Sequence, residues 1–166
     1  RLFSAFRPSE AAVAHLARAF RAVALPSGVR PTPAERWHLT LGFYGNEASV
    51  PERADHLDTQ LAGLAPPTLR LAGAGTFPGV LWVGVQPATA GDREALRRIA
   101  VAAGAGRRYQ AHVTVARWRL DRPTALMVGQ LASYAGPTWT ADRVDLVHSE
   151  PGGAHTTVHS VPLSAW

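Results

Sequence analysis

The sequence predicts an α+β fold in which mostly antiparallel sheets are flanked by helices. Several short stretches alternate polar and apolar residues, which is typical of strands with one buried face. Other stretches place apolar residues three or four positions apart, as amphipathic helices do. These strands and helices follow one another in a mixed order, which favours α+β over a strictly alternating parallel fold. Because no segment is typical of a linker, we expect a single domain, 1–166, of ordinary size.

Composition narrows the classes of protein that this chain can represent. With 46% hydrophobic and 17% charged residues, it can bury a core and is not generally disordered. All 17 basic residues are Arg, and the net charge of +5 favours an anionic partner such as a nucleic acid. The absence of Cys excludes disulfides, zinc–thiolate sites and a Cys nucleophile. No apolar run is long enough to span a membrane, so we expect a cytoplasmic protein without a membrane partner.

The first half of the chain begins with a predicted strand over 2–6, ended by Pro8. An amphipathic helix is predicted from about Ser9 to Ala24. Further along, Ser49 and Glu52 have the spacing of a capping box, which predicts a helix that continues to about Leu64.

The second half is predicted to contain two strands, two helices and two closing strands. Pro78 and Gly79 join the first two strands, and the glycines within the first of them indicate a bulge or close packing rather than a phosphate-binding loop. Thr89 is a candidate cap for the first helix. The predicted strands cover 68–77, 80–86, 139–148 and 156–162, and the predicted helices cover 90–103 and 123–134.

One sequence pattern occurs twice, as His38-Leu-Thr40-Leu and as His112-Val-Thr114-Val. Side chains on a strand alternate between its faces, so the His and the Thr of each copy share one face while the apolar residues point into the core. A third His-x-Thr sequence begins at His155 but lacks the apolar residue after its His. If the two complete copies lie together, two imidazoles and two hydroxyls surround one small polar ligand. We therefore predict an active site made by duplication.

These residue types suit chemistry at phosphorus. One neutral and one protonated imidazole form an acid–base pair that can add water to a phosphate ester and expel an alcohol. Thr hydroxyls can donate to the non-bridging oxygens, and an Arg fork matches a phosphate in shape. Arg117 follows the second copy, although in an unbroken strand it would face away from His112 and Thr114.

Other chemistries lack their sequence signatures. HExxH, a nucleophile elbow and a Walker motif are all absent. We interpret His148, His155 and His159 as polar positions of strands or loops rather than as metal ligands, so no metal or other cofactor is expected.

At these residues the chain resembles the 2H phosphoesterases, and among them the RNA 2′,3′-cyclic phosphodiesterase or 2′-5′ RNA ligase (LigT-like) family. The resemblance covers nearly the whole chain and rests mainly on the two HxTx motifs. Supporting stretches are Arg1 to Phe6, Trp37 to Gly45, Val80 to Val85, Ala111 to Arg117 and Ser149 to Ala154.

The resemblance implies two lobes related by a pseudo-twofold axis, with the active-site cleft between them. It also implies metal-independent opening of a terminal 2′,3′-cyclic phosphate of RNA to a 2′-phosphate, with 2′-5′ ligation as the possible reverse reaction. The roles it implies are general acid for His38 and general base for His112. The implied substrate-binding residues are Thr40, Thr114, Arg117 and Phe43.

Two positions depart from the family pattern. Ala111 precedes the second His where Pro is usual, and His155 stands where an aromatic residue is common. Neither departure removes a candidate catalytic group. Phe43, Tyr44 and Trp82 are candidates for stacking on a base, although core packing is the better interpretation for at least two of them.

Two alternatives stay open from the sequence alone. The same cleft would serve a non-catalytic nucleotide- or RNA-binding module, although such a module needs hydrogen-bond donors rather than two proton-transfer groups. The enzyme would equally act on a small cyclic nucleotide or a cyclic phosphate of ADP-ribose. No obligatory protein partner is evident.

Overall fold

The computed structural model describes residues 1–164, which form four α-helices and nine β-strands. The helices are α1 (Glu10–Phe20), α2 (Val50–Gln60), α3 (Ala90–Ala102) and α4 (Ala125–Leu131). The strands are β1 (Leu2–Phe6), β2 (Arg30–Pro31), β3 (Leu39–Gly45), β4 (Thr68–Phe77), β5 (Val80–Pro87), β6 (His112–Arg117), β7 (Ala135–Thr140), β8 (Arg143–Ser149) and β9 (His155–Pro162). The predicted α+β class is confirmed.

The first three helices begin next to Ser9, Ser49 and Thr89, where the sequence predicts their starts. The side chains of Ser9, Ser49 and Thr89 accept hydrogen bonds from backbone N–H groups three residues ahead, at 3.1, 3.4 and 3.1 Å. Helices α1, α2 and α4 are shorter than predicted, and α2 ends at Gln60 rather than near Leu64. α1 tightens at Phe20 into turns with i→i−3 hydrogen bonds before Pro26, and α4 begins at Ala125 without a side-chain cap.

The strands form one curled sheet in the order β7-β4-β5-β6-β3-β1-β8-β9, with β2 added beside β6. Every pairing is antiparallel. The order is palindromic about the β6–β3 contact, so that β6 corresponds to β3, β5 to β1, β4 to β8 and β7 to β9. These halves are the two predicted lobes. They meet along the sheet at one residue pair, Leu39 with Val113.

The prediction of one strand over 139–148 is wrong. The chain leaves β7 after Thr140 and enters β8 at Arg143, and these strands lie in different lobes, beside β4 and β1 respectively. Apolar residues are buried on both sides of the break, but their alternation shifts by one residue, from Trp139 and Ala141 before it to Val144 and Leu146 after it. This shift marks the break in the sequence, although it does not show which strands β7 and β8 pair with.

Each His strand contains a β-bulge at the equivalent position. In β6, Thr114 pairs with Trp82 and Ala116 with Leu81, which leaves Val115 as the extra residue. In β3, Leu41 is extra in the same way. A bulge shifts the alternation by one residue, so Arg117 returns to the face of Thr114. In an unbroken strand Arg117 would face away from His112 and Thr114, and the bulge explains why it does not.

Gly42 lies at the bulge of β3, where the strand backbone packs directly against the end of α3. A Cβ atom on Gly42 would lie 1.9 Å from the carbonyl oxygen of Ala103, a backbone atom that cannot turn aside. We expect Gly42→Ala to lower the free energy of unfolding by about 2–3 kcal/mol, as overpacking does. Urea unfolding measures it. Gly129→Ala, in α4 with no atom within 4 Å of the new Cβ, is the control and should not destabilise the protein.

None of the helices within residues 1–164 combines the length and the hydrophobicity needed to cross a membrane.

Candidate active site

The two motif histidines are held in the same way by their own strands. His38 Nδ1 lies 2.6 Å from the carbonyl oxygen of Arg36, and His112 Nδ1 lies 2.7 Å from that of Gln110. A carbonyl oxygen only accepts, so each Nδ1 carries the proton and donates it. Nε2 of each ring is then the nitrogen that can exchange a proton with a ligand. The two copies of the motif thus hold their imidazoles in the same tautomer.

One cavity of about 420 Å³ brings the duplicated residues together. Its walls include both imidazoles, the two Thr side chains and one arginine from the second motif. Five of the six residues predicted for the site therefore share this cavity: His38, Thr40, His112, Thr114 and Arg117.

Phe43 does not line this cavity, although it was predicted to bind substrate. Its side chain is 59% exposed and lies beside the Arg1 guanidinium, 5.7 Å from the ring centroid. Phe43 occupies the position in β3 that Arg117 occupies in β6, each coming directly after a bulge. Equivalent positions in the two lobes thus hold an aromatic ring in the first lobe and a cation in the second.

Three further side chains with cationic groups or ring nitrogens line the cavity, and none of them was among the predicted site residues. Arg30 lies on β2, where it pairs with Arg117, and Arg36 lies in the turn before His38. His155 is the first residue of β9, and its ring centroid is 5.3 Å from that of His38 in an edge-to-face arrangement. Neither Arg belongs to a periodic segment, so no pattern in the sequence indicated the position of its side chain.

The surroundings of His38 favour its neutral form. Phe3 stacks on the imidazole, with 4.8 Å between ring centroids and 27° between planes. Burial lowers the pKa of His38 to about 4, and the positive charges of His155, Arg7 and Arg117 act in the same direction, against the hydrogen bond to Arg36. At neutral pH, His38 of the free protein is therefore an unprotonated imidazole.

This lowered pKa predicts a loss of stability in acid. Unfolded His38 binds a proton near pH 6.5 whereas folded His38 binds one only near pH 4, so the unfolded state holds more protons between these values. Stability should fall as pH drops through this window, by about 3 kcal/mol from this residue. Urea unfolding of His38→Gln at pH 7 and pH 4.5 should show a correspondingly smaller difference than the wild type. An equal difference in both proteins would contradict this assignment.

Side-chain hydrogen bonds to backbone carbonyl oxygens hold the first motif in place. The Tyr109 hydroxyl donates to the carbonyl oxygen of Thr40 at 2.9 Å, and burial raises the pKa of Tyr109, which keeps the hydroxyl protonated. Arg7 donates to the carbonyl oxygens of Trp37 and Ala34 at 2.6 and 2.9 Å. The peptides on both sides of His38 are thereby anchored by side chains from other elements.

The other two aromatic candidates differ in their surroundings. The Tyr44 hydroxyl donates to the Ala103 carbonyl at 2.7 Å and lies 2.8 Å from Ser4 Oγ, so Tyr44 ties β3 to α3 and β1 within the core. Trp82 is half-buried on β5, with its ring centroid 6.4 Å from that of His112.

The remaining histidines of interest lie apart from one another. His159 Nε2 is 2.8 Å from Asp58 Oδ1, which joins β9 to α2, and His148 Nδ1 is 3.2 Å from Glu150 Oε1. Among residues 1–164, no group of three or more His, Cys, Asp or Glu side chains is arranged to hold a metal ion.

Comparison with known proteins identifies similar sequences and folds. A family model described as LigT like phosphoesterase matches residues 6–85. The crystal structure of TT0787 from Thermus thermophilus superposes with a TM-score of 0.76 at 25% identity, covering 99% of this chain and 98% of that one. Among curated proteins, none matches the sequence significantly.

Two further solved structures show the same fold. Escherichia coli LigT complexed with phosphate gives a TM-score of 0.70 at 20% identity, covering 99% of this chain and 97% of that one. The same protein complexed with 3′-AMP gives 0.68 at 19% identity, covering 99% and 98%. The resemblance predicted from the two HxTx motifs is therefore confirmed by the family model and by the fold.

Proposed function

We propose that the chain is a LigT-like phosphoesterase that opens the 2′,3′-cyclic phosphate at the end of an RNA to a 2′-phosphate, a proposal supported by the family model over residues 6–85 and by the shared fold. The observation that carries this proposal is that each lobe contributes one imidazole and one hydroxyl to the same cavity. Phosphate and 3′-AMP, bound in the crystal structures of E. coli LigT, have the chemistry of the proposed ligand.

The proposed reaction requires one proton acceptor and one proton donor. A water molecule loses a proton to the base, and its oxygen forms a bond to phosphorus opposite O3′. The bond between phosphorus and O3′ breaks with its electron pair on O3′, which takes a proton from the acid. One proton enters and one leaves the histidine pair, so the reaction needs no net proton transfer.

We assign the base to His38 and the acid to His112. This order is the reverse of the one that the family resemblance implies. It is supported by the low pKa of His38, which is about 4 and leaves the ring unprotonated and ready to accept a proton at neutral pH. Each ring uses Nε2, since Nδ1 donates to the backbone.

The remaining groups of the cavity suit the charge of the phosphate. Thr40 and Thr114 would donate to the two non-bridging oxygens, on which charge builds up in the transition state. Arg117, which the bulge of β6 returns to this face, would add a charge-assisted hydrogen bond.

The proposal is tested by incubating an RNA that ends in a 2′,3′-cyclic phosphate with the protein in the presence of a chelator. Phosphorus NMR should show conversion to a 2′-phosphate and no 3′-phosphate. Cyclic phosphates of a mononucleoside and of ADP-ribose, assayed in parallel, define the substrate class. Tight binding of RNA without any turnover would instead favour a non-catalytic binding module.

A further inference from the structure

A second groove adjoins the active site on the side of His112. We call it the α3 groove; it has a volume of about 910 Å³ and lies between β4, β5, α3 and the segment 105–111. Gln110 and Ala111, which line it, directly precede His112 in the chain. Two residues of β5 also line the groove beside His112: Gly84, which pairs with it, and Trp82, whose ring centroid is 6.4 Å from that of His112. The volume of the groove lies in the range of ligand-binding sites.

Glycines in β4 and β5 allow close contacts beside the α3 groove. Gly84 pairs with His112 across the sheet, and a Cβ atom there would lie 2.6 Å from the carbonyl oxygen of Ala72. A Cβ atom on Gly75 would lie 2.3 Å from the Trp82 ring, so the indole lies directly over the backbone of β4. The groove therefore offers one half-buried aromatic ring beside the catalytic histidine.

The walls of the α3 groove carry only positive charges. Arg93 and Arg97 line it from α3, and Arg107 lines it from the following loop. Within the described residues, no carboxylate lines this groove. Glu94, which pairs with Arg97 at 2.7 Å, lies outside the lining. An aromatic ring bordered by guanidinium groups is suited to a strand whose bases stack and whose phosphates are exposed.

We propose that the α3 groove holds the nucleotides that precede the cyclic phosphate in a single-stranded RNA, with a base on Trp82 and phosphates on Arg93, Arg97 and Arg107. This inference rests on the proposed function and adds the substrate's length and strandedness to it. A duplex does not fit the proposal, since its bases are already stacked on one another and present no free face to an indole.

The position of the groove also bears on the order of the two histidines. The ribose is joined to phosphorus through O2′ and O3′, and water attacks from the side opposite O3′. A strand in the α3 groove brings the ribose to the His112 side of the cavity, which places O3′ beside His112 and the water beside His38. This placement of the substrate agrees with the assignment drawn from the low pKa of His38.

The test compares two substrates that share the same reacting end, adenosine 2′,3′-cyclic phosphate and a single-stranded tetranucleotide that ends in it. We expect kcat/KM of the wild type to be about tenfold or more higher for the tetranucleotide. Arg93→Gln combined with Arg107→Gln should lower kcat/KM for the tetranucleotide by about tenfold and leave the mononucleotide within about twofold. The salt dependence of tetranucleotide binding should also become shallower.

The chain offers a matched control on the same helix. Arg97 and Arg98 both pair with Glu94, at 2.7 and 3.3 Å, but only Arg97 lines the groove. Arg97→Gln should weaken use of the tetranucleotide, whereas Arg98→Gln should not. Equal effects of the two substitutions, or equal effects on both substrates, would overturn the inference.

A binding measurement separates this inference from the proposed function. Fluorescence anisotropy of a labelled tetranucleotide carrying a 2′-phosphate needs no turnover. Trp82→Phe should keep the affinity for it, and Trp82→Leu should lose about tenfold, the loss of one base stack. If the mononucleotide is hydrolysed and the tetranucleotide gains nothing, the groove proposal fails alone. If neither substrate is hydrolysed but the tetranucleotide binds through Trp82, the proposed function fails alone.

Discussion

Replacing His112 with Ala is expected to lower kcat for a 2′,3′-cyclic phosphate by about 10³-fold, and His38→Ala should have an effect of similar size. General acid or base catalysis contributes on the order of 10²–10⁴-fold, and each substitution removes one of the two proton-transfer groups. Steady-state kinetics with adenosine 2′,3′-cyclic phosphate measures both losses. Near wild-type turnover in either variant would exclude a paired acid–base mechanism.

A substrate with sulfur in place of O3′ distinguishes the two roles. A thiolate leaves without being protonated, so the general acid is dispensable for this substrate while the base is still required. His112→Ala should therefore recover most of its lost activity, and His38→Ala should not. Recovery of His38→Ala instead would restore the order that the family resemblance implies. The same two assays therefore test the acid–base mechanism and also show which of the two histidines lies beside the leaving O3′.

Substitution of the motif hydroxyls should have the second-largest effect. Thr40→Val and Thr114→Val keep the shape of the side chain and remove its donor, so each is expected to lower kcat by about 10²-fold with a smaller change in KM. Single-turnover kinetics measures the chemical step directly. Thr40→Ser and Thr114→Ser, which retain the hydroxyl, are the matched controls and should keep most of the activity. A pure KM effect would show that the hydroxyls hold the substrate and do not stabilise the transition state.

The sequence predicted the core of the candidate site because that site is built on regular strands. Period-two alternation places His38 with Thr40 and His112 with Thr114, and the structure brings these four residues into one cavity. Caps at Ser9, Ser49 and Thr89 located the beginnings of three helices. In each case the information is local, within a few residues along the chain.

The features that the sequence did not reveal depend on contacts between distant segments. Arg117 joins the cavity only because a bulge, opposite Leu81 and Trp82, adds one residue to its strand. The different partners of β7 and β8, which are β4 and β1, are set by distant parts of the chain. His155 comes close to His38 across the β1–β8–β9 end of the sheet. None of these pairings leaves a local signal in the residues themselves.

The β3–β6 contact consists of one residue pair, although each of these strands carries half of the proposed acid–base machinery. Helix α1, which follows β1 of the first lobe, packs across the molecule against β7 and β4 of the second. The packing of this helix is therefore one of the contacts that set the distance between the two imidazoles. A substitution at buried Leu16 could misalign the reaction while leaving every atom that touches the phosphate unchanged.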